Sequence, residues 1–315
     1  MAGRRWVRQV LRWGVVVLVF IFLWRRVEAD WPTVAAVISR IRWEWTVVSL
    51  LPGVAYFWLR AATWNRLLVL LGVRVDQVTA WNIWMKAEVV RYIPGYVWSV
   101  LGRMAQAGRL GASRTTIFTS MVLEAMLLVL SCLGLSAVLL TGYPQYQWPG
   151  RTIALLVVAV ASLVVILKPV AKTLVQLLHR VLRRPAPSAI GSSAPAFASM
   201  TVSWLMFATF QLLVAQALGV VSAGSLVALA GVFLLSWLLG YLSFLAPSGL
   251  GVREAFLIAL LGPFMGAPQA VAVAAVSRVS MMVVEVLVLG GAHLVAARSE
   301  RNHGRLESSL TPRKI

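Results

Sequence analysis

The stretch FLAPSGLGVREAFLIALL (Phe244 to Leu261) holds five residues that are costly in hydrocarbon. Pro247, Gly249 and Gly251 interrupt a helix, because Pro lacks an N–H and Gly has no Cβ to restrict its backbone. Arg253 and Glu254 then stand where a helix restarts. A helix N-terminus turns free N–H groups toward an anion. A guanidinium there adds a planar, bidentate donor suited to phosphate. Arg253 is therefore the leading candidate for holding a phosphate. Glu254 is adjacent in sequence, points elsewhere, and needs a different partner. A second interrupted stretch carries Pro94-Gly95, with Glu88 and Arg91 just before it. Those two are three residues apart and can pair on one helix face. Arg278, Glu124 and Glu285 are the remaining candidates. Arg91 and Arg278 are expected to assist Arg253. The carboxylates would balance the charge, contact a head group or carry a coupling proton. Each such group costs about 2.5–3.5 kcal/mol at a membrane helix centre, which leaves function or mutual pairing as its reason to persist. The structural alternatives are a Glu88–Arg91 pair that positions a helix, and Glu124 and Glu285 accepting hydrogen bonds between helices.

The elements that position these residues follow from composition. Of 315 residues, 60% are hydrophobic and 12% charged, with a mean hydropathy of +0.84. Soluble domains are nearer half apolar and a quarter charged. Uncharged runs of about twenty residues match the bilayer core, and helices are the spanning structure such text favours. The expected class is an all-α polytopic membrane protein. Long apolar runs cover 10–27, 46–71, 117–140, 152–175, 198–218, 226–245 and 269–296. The first is expected to be an uncleaved helix closed by Trp24, Arg25 and Arg26.

Lys and Arg retained on the cytoplasmic side set the orientation. Arg4, Arg5, Arg8 and Arg12 precede the first run. Arg103, Arg109 and Arg114 fall in one connection, and Lys168, Lys172, Arg180, Arg183 and Arg184 in another. Arg298, Arg301, Arg305, Arg313 and Lys314 end the sequence. The connections 141–150, 219–225 and 263–268 carry neither residue and are expected outside. The mixed-charge loop 25–45 is read as external, with an amphipathic stretch on the surface. Both termini are then cytoplasmic, in a multi-pass protein of the plasma membrane.

Helix parity makes 79–101 start and finish inside, and 226–262 start and finish outside. Each reads as a re-entrant hairpin, broken near Pro94-Gly95 and Pro247-Ser248-Gly249. About six full spans and two hairpins result. Pro94 and Pro247 are 153 positions apart, and TSMVLEAMLLVL resembles VSMMVVEVLVL, matching Glu124 with Glu285. The expected organisation is one membrane domain over 1–315. Its first repeat is 1–140 and its inverted second repeat 152–297, a pattern typical of transporters. A cytoplasmic linker spans 183–195 and a basic tail 298–315.

Other function classes are less well served. The net charge of +19 sits in short loops, where orientation and anionic lipid account for it without nucleic acid. One cysteine, Cys132, forms no intrachain disulfide, and His179, His293 and His303 lie far apart. No metal or cofactor is expected. No nucleophile elbow, phosphate loop or zinc helix occurs, and the Gly-Leu-Gly of PSGLGVRE follows no strand. Trp43, Trp45, Trp58, Trp64, Trp81, Trp84 and Trp98 read mainly as interfacial anchors.

RYIPGYVWSVLGRMAQAGRLG with TSMVLEAMLLVL, and FLAPSGLGVREAFLIALL with AVSRVSMMVVEVL, resemble the transmembrane region of the lysylphosphatidylglycerol synthase/flippase family. The Pro247–Glu254 stretch is the most specific part. Two features depart from the family pattern: the charged Glu88 and Arg91 beside the first break, and Ala125 after Glu124 where an Arg is common. The resemblance implies a membrane domain that moves phospholipid between leaflets. With the sequence closing at Ile315, a standalone form without the soluble synthase domain is expected. The leading reading is a flippase for a phosphate-bearing lipid, without chemistry of its own. The alternatives are a membrane enzyme acting on a polyprenyl-phosphate or phospholipid carrier, and a non-catalytic subunit of a lipid-modifying complex. The expected partners are anionic membrane lipids, a synthase or glycosyltransferase, and further copies of the chain.

Overall fold

A computed structural model describes residues 31–89, 97–106, 108–141, 172–173, 175–177, 180, 192–243, 249 and 251–310. Among them the regular structure is helical throughout. The helices are α1 (Trp31–Ser39), α2 (Trp43–Leu70), α3 (Gln77–Val89), α4 (Val97–Ala105), α5 (Arg114–Leu140), α6 (Ala194–Ala217), α7 (Leu226–Leu242), α8 (Val252–Met265) and α9 (Ala267–Leu310). The stretches Arg114–Leu140, Ala194–Ala217 and Ala267–Ala292 are long and apolar enough to cross a membrane, and α7 is a shorter apolar helix. The runs expected at 10–27 and 152–175 lie outside, or almost wholly outside, the described residues. So does the Pro94-Gly95 break. The described residues of 79–101 are helical up to Val89 and from Val97 onward. α9 continues to Leu310, through residues expected as a tail. Ala, Arg and Glu there are good helix formers, and they extend the helix past its apolar part.

Helix ends follow local chemistry. α2 and α6 both finish on a left-handed glycine, Gly72 (φ 82°) and Gly219 (φ 67°). At the first, Val73 N donates to Leu68 O and Gly72 N to Val69 O. At the second, Val220 N donates to Ala215 O and Gly219 N to Gln216 O. This is the six-to-one and five-to-two pattern that satisfies terminal carbonyls. Ser113 caps α5, its Oγ accepting from Thr116 N at 3.0 Å. Asp76 caps α3, its Oδ1 accepting from Thr79 N at 2.9 Å.

Partial burial alone would raise the Asp76 carboxyl. Hydrogen bonds from the Thr79 side chain and from backbone N–H groups outweigh it and hold the group below its ordinary value. The carboxylate's contribution is therefore complete above the unfolded pKa and is lost as pH falls through the folded one. Asp76→Ala is expected to cost about 1 kcal/mol, the usual loss of an N-cap. It should also flatten the acid limb of a thermal-stability profile. An unchanged profile would remove Asp76 from that role.

α2 and α6 form the central antiparallel pair. Arg42 N donates to Ala217 O at one end, and Arg66 reaches Ser199 Oγ at 2.9 Å at the other. Gly53 lets α9 approach, since a Cβ there would stand 2.8 Å from Val284 Cγ2. α1 buries Val34 against Val271 and Ala272 of α9. This is how the stretch expected on the surface at 25–45 is seated.

The tryptophans divide. Trp43 and Trp98 are exposed, but Trp64 and Trp84 are fully buried and Trp81 nearly so. The interfacial reading fails for those three. Trp64 Nε1 donates to Ser120 Oγ at 3.0 Å and Trp84 Nε1 to Glu124 Oε1 at 2.8 Å. A buried indole usually finds a partner for its N–H, as Trp64 and Trp84 do.

Candidate functional site

A cavity of about 290 Å³ opens where α3 and α4 face α7 and α8. Its wall includes Arg60 of α2, Glu88 of α3, Ser99 and Arg103 of α4, and Glu124 and Ala125 of α5. From the other side come Trp237, Gly240 and Tyr241 of α7, Gly249, Arg253 of α8 and Arg278 of α9. Residues on both sides of each interrupted stretch therefore reach one space.

On one side, Glu124 is the hub. Its Oε2 accepts from Arg103 Nη1 at 2.5 Å, and its Oε1 from Arg60 Nη2 at 3.4 Å and Trp84 Nε1 at 2.8 Å. Arg60 Nη1 also donates to Tyr56 Oη at 3.1 Å. The guanidiniums lie over aromatic faces: Arg60 over Tyr56, Trp84 and Trp204, and Arg103 over Trp64 and Trp84. These attractions strengthen where water is excluded. Arg103 was expected in a cytoplasmic connection and is instead a buried residue of α4. A short helix turning one face to α5 carries the charge inward, where Glu124 compensates it.

On the other side, Arg253 is buried at 6% exposure with its guanidinium over Phe207 at 5.4 Å. Gly251 (φ 80°) precedes α8, and its N–H donates to Glu254 Oε2 at 2.8 Å. The other Glu254 oxygen is 3.7 Å from Arg278 Nη1. Glu254 thus caps α8 and ties it to α9.

The sequence-derived residues fall into three groups. Arg253, Arg278, Glu88, Glu124 and Gly249 line the cavity. Glu254 and Gly251 shape the start of α8 beside it, while Glu285 is buried on α9 and is not among the lining residues. Arg91, Pro94, Gly95 and Pro247 lie outside the described residues. Arg60 and Arg103 were missed. Arg60 stands inside the apolar run 46–71, and the cost of an intramembrane charge was signal enough to single it out.

Four guanidiniums and two carboxylates line the wall, with Glu254 engaging Arg278 from behind. Among the described residues one positive charge remains, in a space flanked by the stacked Trp237 and Tyr241 rings. Such a site attracts an anion that also carries apolar surface.

The crossing of α7 and α8 sets the position of Arg253. A Cβ on Gly240 would meet Arg253 Cβ at 2.7 Å and Cα at 3.1 Å. Gly249 (φ 66°) lies against the Gly240 carbonyl. Gly240→Ala is expected to push the start of α8 away, costing about 1–3 kcal/mol as overpacking. Ligand binding at Arg253 should weaken with it. Unaltered thermal stability and binding together would show that the crossing tolerates the methyl group.

An all-helical fold with apolar helices of spanning length and a buried, cation-rich cavity defines an integral membrane protein. The chain belongs to the family described as lysylphosphatidylglycerol synthase TM region, which it matches over residues 9–289. Comparison with curated proteins found no match.

Proposed function

We propose that the protein is a lipid flippase, moving a phospholipid or another phosphate-bearing lipid between leaflets of the plasma membrane. The observation that carries this reading is the cavity itself. Both interrupted helix pairs contribute to it, and it joins guanidiniums with aromatic surface. Arg253 and Arg278 hold the phosphate, while Glu88 and Glu124 restrain the excess charge. The family supports a lipid-related membrane role.

The helix boundaries support an inverted repeat. α5 and α9 begin 153 positions apart, at Arg114 and Ala267. This is the Pro94–Pro247 spacing. α2 and α6 run antiparallel and both close on a left-handed glycine. In this register Trp84 corresponds to Trp237, Ala125 to Arg278, and Glu124 to Ser277 rather than Glu285. Two re-entrant hairpins meeting from opposite faces, with both termini cytoplasmic, complete the proposal.

The membrane-enzyme alternative draws less support. Glu124 is held by two guanidiniums and Glu254 caps a helix, so neither is poised as an acid or base.

The test is reconstitution of the full chain in liposomes carrying fluorescent phosphatidylglycerol, phosphatidic acid or polyprenyl phosphate. Dithionite added outside should quench inner-leaflet probe of at least one kind in protein-containing vesicles. A fully protected inner pool for all three would overturn the reading.

A further inference from the structure

We propose that Arg60 and Arg103 form a second oxyanion subsite in the cavity, one that the Glu124 carboxylate occupies until a phosphate group displaces it. The subsite rests on the transport reading for the lipid source of that phosphate. Arg60 and Arg103 are each 5% exposed, and both line the cavity. Each carries five N–H donors. Arg60 spends its donors on Tyr56 Oη and Glu124, and Arg103 on Glu124. The Nε atoms of both are buried, with no hydrogen-bond partner among the described residues. Buried cationic donors are normally satisfied, so this surplus calls for an acceptor.

One carboxylate cannot supply it. Glu124 also accepts from Trp84 and meets the two guanidiniums through single contacts on different oxygens. A phosphodiester brings two charged non-bridging oxygens and further ester oxygens, which matches two forked donors better. The Trp64, Trp84 and Trp204 rings, 5.3–6.0 Å from the guanidinium carbons, keep the cations in place when the carboxylate turns away. Glu124 therefore sets the affinity. It prevents the empty cavity from holding two bare cations, and it weakens phosphate binding enough for release.

The experiment measures binding of short-chain phosphatidylglycerol to the purified full chain in mild detergent, by thermophoresis and by lipid-induced shift of the melting temperature. Glu124→Gln keeps the shape and an acceptor for Trp84 while removing the competing charge. It is expected to bind about tenfold tighter than the unchanged protein and to gain more thermal stability from lipid. Arg103→Gln is expected to bind about tenfold weaker. A purely structural Glu124 would lower stability without raising affinity, and that outcome overturns the subsite. So does an Arg103→Gln variant that binds normally, which decides the matter alone if Glu124→Gln does not fold. A parallel titration with inorganic phosphate separates the sources: equal tightening there assigns the subsite to any phosphate, and tightening with lipid alone assigns it to the lipid. Tightening without liposome transport keeps the subsite and overturns the flippase reading, and transport with unchanged Glu124→Gln affinity does the reverse.

Discussion

Replacing Arg253 with Ala is expected to lower leaflet-to-leaflet transport of the responsive lipid by about 100-fold, with the protein still folded. Truncating one partner of a buried, hydrogen-bonded charge pair costs about 2–5 kcal/mol. A loss near 3 kcal/mol corresponds to about two powers of ten. Arg253 is at the cavity wall, and its guanidinium carbon lies over Phe207 at 5.4 Å. A lysine would restore the charge but neither the fork nor the stacking. Arg253→Lys should therefore recover only part of the rate. The measurement is dithionite accessibility in liposomes, with circular dichroism and melting temperature as folding controls. Wild-type transport by Arg253→Ala would show that the phosphate is held elsewhere in the cavity.

Glu124→Ala is expected to have the largest effect on stability, a loss of about 3–5 kcal/mol. Removing one member of a buried ionic cluster leaves its partners uncompensated. Here two guanidiniums, each 6% exposed at the side chain, would lose their carboxylate together. Trp84 Nε1 would lose its acceptor as well. Thermal unfolding in detergent reads the effect. The triple variant Arg60→Met, Glu124→Leu, Arg103→Met removes the whole cluster and should recover most of the loss, since apolar replacements of buried ionic groups are often neutral. It should not recover lipid binding. A single Glu124→Ala variant as stable as the unchanged protein would mean that water or lipid already screens the pair.

Much of the frame was legible from residue order. Apolar run length placed α2, α5, α6 and α7 within a few residues of their observed bounds, because burial against lipid or neighbours depends on local text. The glycines of PSGLG identified the start of α8, and two of them have positive φ. Arg253 as a cavity residue followed from that restart. Trp64, Trp84 and Arg103 were misassigned for one reason. Whether a tryptophan or an arginine faces the interface or a buried partner depends on what lies opposite it. For Arg103 the partner is 21 positions away, for Trp64 it is Ser120, and for Trp84 it is Glu124, 40 positions away.

By itself the sequence determined the helical class, the family, the helix restart before Arg253 and the presence of charges that apolar surroundings would expel. Hydropathy and backbone preference are properties of short segments, so they are written locally. Only the tertiary structure decided which charges meet. Arg60 lies 64 positions from Glu124, and Arg278 reaches Glu254 from the next helix. A direct ion pair forms only where N and O come within about 4 Å. The partners are therefore chosen by how α2, α4, α5, α8 and α9 close around the cavity, and that closure depends on contacts such as Gly240 against Arg253, which only the assembled helices create.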